Sequence, residues 1–246
     1  MPRCYPPLSY LKAKRPLRTN ETPVIKLVIK MTDRSNLLKF YSPEAALKYK
    51  KIMESPTELD FYRTDVAELT LKLFVPNLPV LDVGCGCGDV LNLVSQSDGL
   101  RDGTSLMGVD IAETMLEHAR KMVPSATFRV GDAVTLDFAS DQSVGGILCT
   151  FVTHHLQDNE FVMAVREFAR VAASGCPVYH CYWHGQGNME GFTDEGSTSN
   201  TNPLTLLKRT FEQVDGVFAT EGFAKLNGRR ETYEWGDMSF DVYIKR

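Results

Sequence analysis

Three glycines and an acid in one short run are the residues of this chain with the clearest chemical meaning. The run Val80–Val90 reads VLDVGCGCGDV, with a hydrophobic strand leading into Gly84, Gly86 and Gly88. Glycine has no Cβ, so such a turn can adopt positive φ and let a ligand lie against bare backbone. The helix that follows points unpaired N–H groups and a positive dipole end back at the turn. The run therefore predicts a site for a nucleotide-like ligand.

The glycine spacing and the position of Asp82 indicate which nucleotide fits. The dinucleotide fingerprint is G-x-G-x-x-G, whereas this chain has G-x-G-x-G with Asp82 two residues before the first glycine. A carboxylate there repels a pyrophosphate but accepts hydrogen bonds from an ammonium group or water. The pattern favours a sulfonium amino acid, which is positively charged and has no phosphate. A nicotinamide-dependent oxidoreductase is the alternative that the spacing and Asp82 disfavour.

Two further acids lie at the ends of predicted strands. Asp110 ends the strand over 105–110, where its two oxygens can accept both hydroxyls of a ribose. Asp132 follows the strand over 126–130 and can accept from an adenine amino group. A single acid at such a place often serves as a helix cap or turn former. Three of them beside one glycine loop favour a ligand instead.

Four stretches of the chain resemble, in order, the motifs of the class I S-adenosylmethionine-dependent methyltransferases. They are VLDVGCGCGDV, GVDIAETMLEHARK, FRVGDAV and ILCTFVTHHLQD, and the resemblance covers about residues 79–172. It is greatest to the branch with the ubiquinone/menaquinone-type and many small-molecule enzymes. The resemblance implies an α/β fold with a doubly wound, mostly parallel seven-stranded sheet of order 3-2-1-4-5-7-6, in which strand 7 is antiparallel. It also implies S-adenosylmethionine as cofactor and methyl transfer to O or N, less often C, of a small molecule.

The resemblance also implies which residues hold the cofactor. Gly84 and Gly86 would contact the methionine portion of the cofactor. Asp110 would contact the ribose, and Asp132 and Ala133 would contact the adenine. In related folds an N-terminal helix covers the cofactor, and a Tyr or Arg there can grip its carboxylate, although such residues also serve in packing. The full predicted set is Asp82, Gly84, Cys85, Gly86, Gly88, Asp110, Ile111, Met115, Asp132, Ala133, Thr150, Tyr49 and Arg63.

Three histidines are the candidate catalytic residues. His154 and His155 follow the fourth predicted strand, and His184 ends the fifth. Histidine has the ordinary pKa that suits a general base, which methyl transfer needs only when the acceptor must lose a proton. For each histidine taken alone, a structural role in packing or in tying the loop is favoured over a role as base. Because a base is dispensable, a non-methylating or regulatory relative that binds S-adenosylmethionine stays an alternative. No metal site is predicted, since Cys85-x-Cys87 has no second pair at zinc spacing.

Alternating strands and helices define the predicted domain organisation. A basic N-terminal extension over 1–40 precedes a methyltransferase domain over 41–246, with a helical lid at 41–75 and a Rossmann-like core at 76–246. Predicted strands are 24–30, 79–83, 105–110, 126–130, 146–150 and 177–183; predicted helices are 42–54, 57–74, 89–97, 113–123 and 159–172, the last capped by Asp158. A long loop over 185–202, a helix over 204–213 and an antiparallel pair over 216–226 and 232–244, turning at 228–230, complete the prediction.

Composition bounds the class of protein. The net charge is −4, which gives no reason to expect nucleic acid, although residues 1–40 hold nine Lys/Arg against two acids. No apolar run approaches the length of a membrane span, so membrane insertion is not expected. The basic start resembles a transit peptide, but its prolines would break the helix that such a peptide needs. The six cysteines are not spaced like a disulfide framework, which indicates reduced thiols and a cytoplasmic location. We expect a monomer or homodimer that acts on a small-molecule substrate.

Overall fold

The nine strands in the described part of the chain divide into one seven-stranded sheet and a separate hairpin. Their bounds are β1 Val80–Val83, β2 Leu106–Asp110, β3 Thr127–Val130, β4 Gly146–Thr150, β5 Pro177–His184, β6 Asn188–Phe192, β7 Leu204–Leu207, β8 Phe223–Tyr233 and β9 Gly236–Lys245. The sheet order is β3-β2-β1-β4-β5-β9-β8, with β9 antiparallel to both neighbours. Since β8 and β9 are the sixth and seventh strands of this sheet, the predicted order and the antiparallel seventh strand are confirmed.

The helices alternate with the strands and cover both faces of the sheet. The computed structural model describes residues 34–53, 56–192, 204–233 and 236–246, so the predicted strand at 24–30 lies outside the described residues. The helices are α1 Ser35–Phe40, α2 Pro43–Met53, α3 Pro56–Glu68 with a π-helical turn at Leu69–Leu73, α4 Asp89–Ser95, α5 Glu113–Met122, the 3₁₀ turn Thr153–His155, α6 Asp158–Val171 and α7 Phe211–Thr220. Among the described helices, none is long and apolar enough to cross a bilayer.

Strand β1 shows how the sheet divides the core into two layers. All four of its residues are buried, and successive side chains point to opposite faces. Leu81 and Val83 pack on the layer that contains Phe161 and Phe168 of α6. Val80 packs on the other layer, with α3, α4 and α5. A strand buried on both faces belongs at the centre of a parallel sheet, which places the glycine loop at the middle of the sheet's carboxyl edge.

The C-terminal third differs from the prediction in its element types. The predicted helix over 204–213 is strand β7 followed by the start of α7, and the predicted strand over 216–226 contains the second half of α7 and the start of β8. Thr210 and Gln213 form a capping box that begins α7, a signal that the sequence interpretation missed. The predicted loop over 185–202 contains β6, which pairs with β7. A short apolar run such as Leu204–Leu207 fits helix and strand equally well until its partner is known.

Two smaller predictions about local structure are also wrong. The segment 228–230 lies inside β8 and is not a turn. A Cβ on Gly228 would collide with the Asp241 carboxylate of β9, so glycine is needed there for close approach. Asp158 is the first residue of α6, and the cap is Gln157, which forms a capping box with Glu160. The antiparallel pairing of the last two strands, in contrast, is confirmed.

Arg34, just before α1, ties the N-terminal helices to the core. Its Nε donates to Asp132 Oδ2 at 2.9 Å, and its Nη1 to Glu160 Oε2 at 3.3 Å. The Glu160 carboxylate is fully buried, so an uncompensated charge there is costly. We expect Arg34→Gln to lower the free energy of unfolding by about 2 kcal/mol. Urea denaturation checks this.

The matched control for Arg34 is an ion pair that is exposed to solvent. Arg166 pairs with Glu221 at 2.9 Å, and the Arg166 side chain is 64% exposed. Arg166→Gln should cost less than about 1 kcal/mol. Equal losses from the two substitutions would show that the Arg34 contacts contribute nothing beyond a surface ion pair.

Candidate functional site

The glycine loop joins β1 to α4 in a left-handed conformation. Gly84, Gly86 and Gly88 have φ of 70°, 53° and 88°, values that favour glycine. The N–H of Gly84 donates to the Val109 carbonyl of β2 at 2.7 Å, which ties the loop to the neighbouring strand. The predicted positive-φ turn is therefore confirmed, and the loop lies at the carboxyl ends of β1 and β2.

Side chains from three directions surround this loop. A Cβ on Gly84 would collide with the Val152 side chain, and one on Gly88 would lie 3.2 Å from the Ala119 backbone of α5. A Cβ on Gly86 would lie 3.4 Å from Met115 Cε and 3.7 Å from the Tyr49 ring. The structure thus brings Tyr49 of α2 and Met115 of α5, both predicted cofactor residues, to the loop.

Asp82 is a buried carboxylate with no hydrogen-bond partner in the described part of the chain. Both of its oxygens are buried and accept no hydrogen bond from any residue that the structure describes. Burial, together with the nearby carboxylates Asp110 and Asp89, raises the pKa of Asp82 to about 8. Native proteins satisfy most buried polar groups, with a protein group, a water, an ion or a ligand. A positively charged ligand group would supply what Asp82 lacks.

Asp110 links the end of β2 to the glycine loop. Its Oδ2 accepts the Gly86 N–H at 2.9 Å, and its Oδ1 accepts the Ala112 N–H at 2.9 Å. Burial raises the pKa of Asp110, and these backbone hydrogen bonds partly oppose that change. Each carboxylate oxygen has a second lone pair, so Asp110 can still accept from a pair of hydroxyl groups.

Asp132 lies after β3 and faces the N-terminal helices. Its Oδ1 accepts the Val134 N–H at 3.2 Å, and its Oδ2 accepts from Arg34 Nε. Ala133 beside it is buried in the core. The sequence interpretation missed Arg34, because nothing in a charge pattern shows which acid a distant arginine meets.

His154 and His155 form a connected pair on the 3₁₀ turn after β4. Their Nε2 atoms lie 2.9 Å apart, and His155 Nε2 lies 3.1 Å from the Tyr41 hydroxyl. Burial lowers the pKa of His154 well below its usual value, and burial with Arg34 nearby lowers that of His155 to about 3. Both rings are therefore neutral at neutral pH. The argument from an ordinary histidine pKa does not hold for this pair, which is suited to hydrogen bonding.

His184 lies elsewhere at the sheet's edge. Its ring stacks on Phe211 of α7 with centroids 3.9 Å apart, and desolvation lowers its pKa. The structure brings His154 and His155 together but places His184 against a different element. Sequence position alone could not separate them, because all three follow strands at the same edge.

The remaining predicted residues occupy varied environments. Thr150 ends β4, Ile111 follows β2, and Arg63 is exposed on α3. Cys85 is buried, with its Sγ 2.8 Å from where a Cβ on Gly108 would lie, so its side chain packs under the loop. The five described cysteines are free, and no group of three or more His, Cys, Asp or Glu within the described ranges could hold a metal ion.

Comparison with known proteins identifies the domain. Residues 80–175 match the family described as "Methyltransferase domain". The N-demethylindolmycin N-methyltransferase of Streptomyces griseus is 33% identical over 100 residues, which are 39% of this chain and 40% of that protein. A dTDP-3-amino-3,4,6-trideoxy-alpha-D-glucopyranose N,N-dimethyltransferase of Streptomyces venezuelae is 28% identical over 132 residues, 52% and 53% of the two chains. The matches thus span about half or less of these relatives.

A solved structure shows the same fold over most of the chain. The magnesium protoporphyrin IX methyltransferase of Synechocystis PCC 6803, with bound SAH, superposes with a TM-score of 0.67. The match covers 87% of this chain and all of the other at 16% identity. Residues 80–175 are therefore a methyltransferase domain, and the chain has the Rossmann-like fold of the class I S-adenosylmethionine-dependent methyltransferases.

Proposed function

We propose that this chain transfers the methyl group of S-adenosylmethionine to a nitrogen or oxygen atom of a small-molecule acceptor. The observation that carries the proposal is the unpartnered carboxylate of Asp82 beneath a left-handed glycine loop. The ammonium group of the cofactor's methionine portion would supply the missing charge, directly or through a water. The N-methyltransferases among the relatives favour nitrogen, and their names describe small-molecule acceptors.

The predicted cofactor residues are assigned by the ligand part that they face. Asp110 would accept the ribose hydroxyls, Asp132 and Ala133 would meet the adenine edge, and Ile111 and Met115 would flank its ring. The remaining members of the predicted set, which would enclose the methionine portion, are Asp82, Gly84, Cys85, Gly86, Gly88, Thr150, Tyr49 and Arg63. For Cys85 the backbone is the contact proposed, because its side chain packs under the loop.

Catalysis would rest on positioning rather than on a strong base. S-adenosylmethionine supplies a methyl group on a positively charged sulfur, and the reaction is an in-line displacement. The neutral pair His154 and His155 would accept a hydrogen bond from the N–H or O–H of the acceptor and orient its lone pair. With His155 at a pKa of about 3, the pair cannot hold the released proton, which would pass to solvent. His184, placed against Phe211, is proposed to line the outer part of the acceptor region.

The test is transfer of radiolabel from the methyl group of S-adenosylmethionine to small molecules of a metabolite extract. We expect label in the small-molecule fraction with the wild-type chain and none with Asp110→Ala. Cofactor binding without transfer to any fraction would favour the non-methylating alternative, and an increase in NADH fluorescence on titration would favour the oxidoreductase. A cytoplasmic monomer or homodimer is the proposed state, to be checked by fractionation and by light scattering.

Asp82 predicts a pH dependence of cofactor binding. A cationic ligand favours the ionised carboxylate, so below its pKa of about 8 binding must release a proton. Affinity for S-adenosylhomocysteine, which carries the same ammonium group, should rise by up to about tenfold per pH unit towards pH 8 and then level off. Calorimetry over this range checks the slope. Asp82→Asn should bind weakly and without that slope; an equal slope in both proteins would contradict the assignment.

Asp82 also predicts that the stability of the ligand-free protein falls as pH rises, whereas the affinity for the cofactor increases. Because the folded-state pKa of Asp82 is raised, the folded state binds more protons than the unfolded one between the usual aspartate pKa and about pH 8. Its contribution to the free energy of unfolding is therefore lost as pH rises through that window. Asp82→Asn should be more stable than wild type at pH 8 in thermal melts, with the difference shrinking towards acid pH. A variant less stable at pH 8 would show that Asp82 has a structural partner.

A further inference from the structure

We propose that Arg209 is a positioning residue, which fixes the turn that carries His154 and His155. The inference rests on the proposed function, in which these two histidines orient the acceptor. Arg209 is only 3% exposed and lies just after β7, more than fifty residues along the chain from the turn. It belongs to none of the sequence motifs described above.

The guanidinium group of Arg209 holds both ends of the histidine turn. Its Nη1 donates to the Thr153 carbonyl at 2.7 Å, and its Nη2 donates to the Leu156 carbonyl at 2.6 Å. A second contact of Nη2 reaches Asp158 Oδ1 at 3.2 Å, at the start of α6. These two carbonyls stand immediately before and after the two histidines, so one planar group sets the position of the segment between them.

Arg209 is itself fixed from the other side. Its backbone N–H donates to the Trp183 carbonyl at 3.1 Å, and its carbonyl accepts from the Gly185 N–H at 3.2 Å, at the end of β5. The guanidinium carbon lies 4.6 Å from the centre of the Phe161 ring. Contacts with β5 of the sheet and with Phe161 of α6 therefore fix Arg209, and Arg209 in turn fixes the histidine turn.

The turn has side-chain contacts, such as that of the Thr153 hydroxyl with His180 Nε2 at 2.9 Å, but little backbone hydrogen bonding of its own. Its backbone hydrogen bonds are His155 N–H to the Val152 carbonyl at 3.0 Å and Leu156 N–H to the Thr153 carbonyl at 3.1 Å. A single turn of 3₁₀ helix is not stable alone. Arg209 adds a second donor to the Thr153 carbonyl and a donor to the Leu156 carbonyl. Burying a guanidinium group is costly, and a hydrophobic side chain would fill the space at lower cost. The choice of arginine therefore indicates a need for hydrogen bonds in a fixed geometry.

The experiment compares Arg209→Gln and Arg209→Lys with wild type. The lysine keeps the charge but loses the planar pair of donors, so it separates geometry from charge. Arg120→Gln is the control, because Arg120 makes an exposed ion pair with Glu113. Two measurements need no acceptor: hydrogen exchange at the amides of His155 and Leu156, and the pH titration of the His154 and His155 ring signals by NMR.

We expect faster exchange at both amides in each variant, by about tenfold or more. We expect the histidine ring signals to stay fixed down to mildly acidic pH in wild type, and to begin to titrate in the variants as water reaches the freed turn. Once an acceptor is found, kcat should fall by about 100-fold, the scale for misplaced reacting groups, while the KM for S-adenosylmethionine stays within about twofold.

The outcomes distinguish this proposal from the proposed function. Unchanged exchange and titration in a folded Arg209→Lys variant overturn the positioning role, and that variant decides the matter where Arg209→Gln does not fold. Equal loss of cofactor affinity and of kcat also overturns it, because the effect is then collapse of the whole site. A wild-type chain that fails to bind S-adenosylmethionine overturns the proposed function. The hydrogen-exchange and NMR measurements still test the positioning role of Arg209 in that case.

Discussion

Asp110→Ala is expected to weaken the binding of S-adenosylmethionine by at least about 100-fold, the largest effect of any single substitution in the site. The Asp110 carboxylate accepts the Gly86 and Ala112 N–H groups, each at 2.9 Å, and is proposed to accept both ribose hydroxyls. Its removal therefore takes away two ligand contacts and also one of the hydrogen bonds that tie the glycine loop to β2. Equilibrium dialysis with radiolabelled cofactor measures the change.

Two companion variants make the Asp110 result specific. Asp102 lies in an exposed turn before β2, so Asp102→Ala removes an acid of the same type without touching the site. Asp110→Asn keeps one acceptor oxygen and should give an intermediate loss. Binding by Asp110→Ala within about threefold of wild type would rule out Asp110 as the ribose ligand, because even one charge-assisted hydrogen bond is worth more than that.

Gly84→Ala is expected to lower the free energy of unfolding by about 2 to 4 kcal/mol, the largest effect on stability. Two independent causes add. The φ of Gly84 is 70°, a conformation that strains any residue with a Cβ, and the new methyl group would collide with Val152. Urea denaturation measures the loss, and cofactor affinity should fall with it because the loop is displaced.

Gly103 provides the matched control for Gly84. Its φ is 82°, close to that of Gly84, but a Cβ there would have no atom within 4 Å. Gly103→Ala therefore measures the backbone strain alone, about 1 to 2 kcal/mol. The difference between the two alanines is the cost of the collision, and Val152→Ala in the Gly84→Ala background should recover part of it. Equal losses of unfolding free energy in the two alanine variants would show that the Val152 side chain moves aside without an energetic penalty.

The cofactor half of the site was predictable because its signals are local. The strand before Gly84 is apolar except for Asp82. Asp82 lies next to the end of the first strand, Asp110 ends the second and Asp132 follows the third, so spacing along the chain is enough to place the three acids at one edge. The sheet order followed from the resemblance, and the structure confirms it.

The acceptor half was not predictable in the same way, because its contacts are long-range. Tyr41 contacts His155, and Arg209 donates to the carbonyls on either side of the two histidines, and each pair is far apart in sequence. On the cofactor side, the contact of Arg34 with Asp132 is long-range in the same way. The error at 204–213 has the same origin, since pairing with β6 decides that this apolar run is a strand. The capping box at Thr210 was the one local signal that could have corrected it.

Calorimetric titration of the wild-type chain with S-adenosylmethionine and S-adenosylhomocysteine addresses the glycine loop and its three acids together. The arrangement of Asp82, Asp110 and Asp132 predicts saturable binding at one site with a dissociation constant of about 1 to 100 µM, or −5 to −8 kcal/mol. The affinity should rise with pH towards 8 as Asp82 ionises. The absence of heat with either ligand at millimolar concentration, in a folded protein, would contradict the assignment of this loop to S-adenosylmethionine.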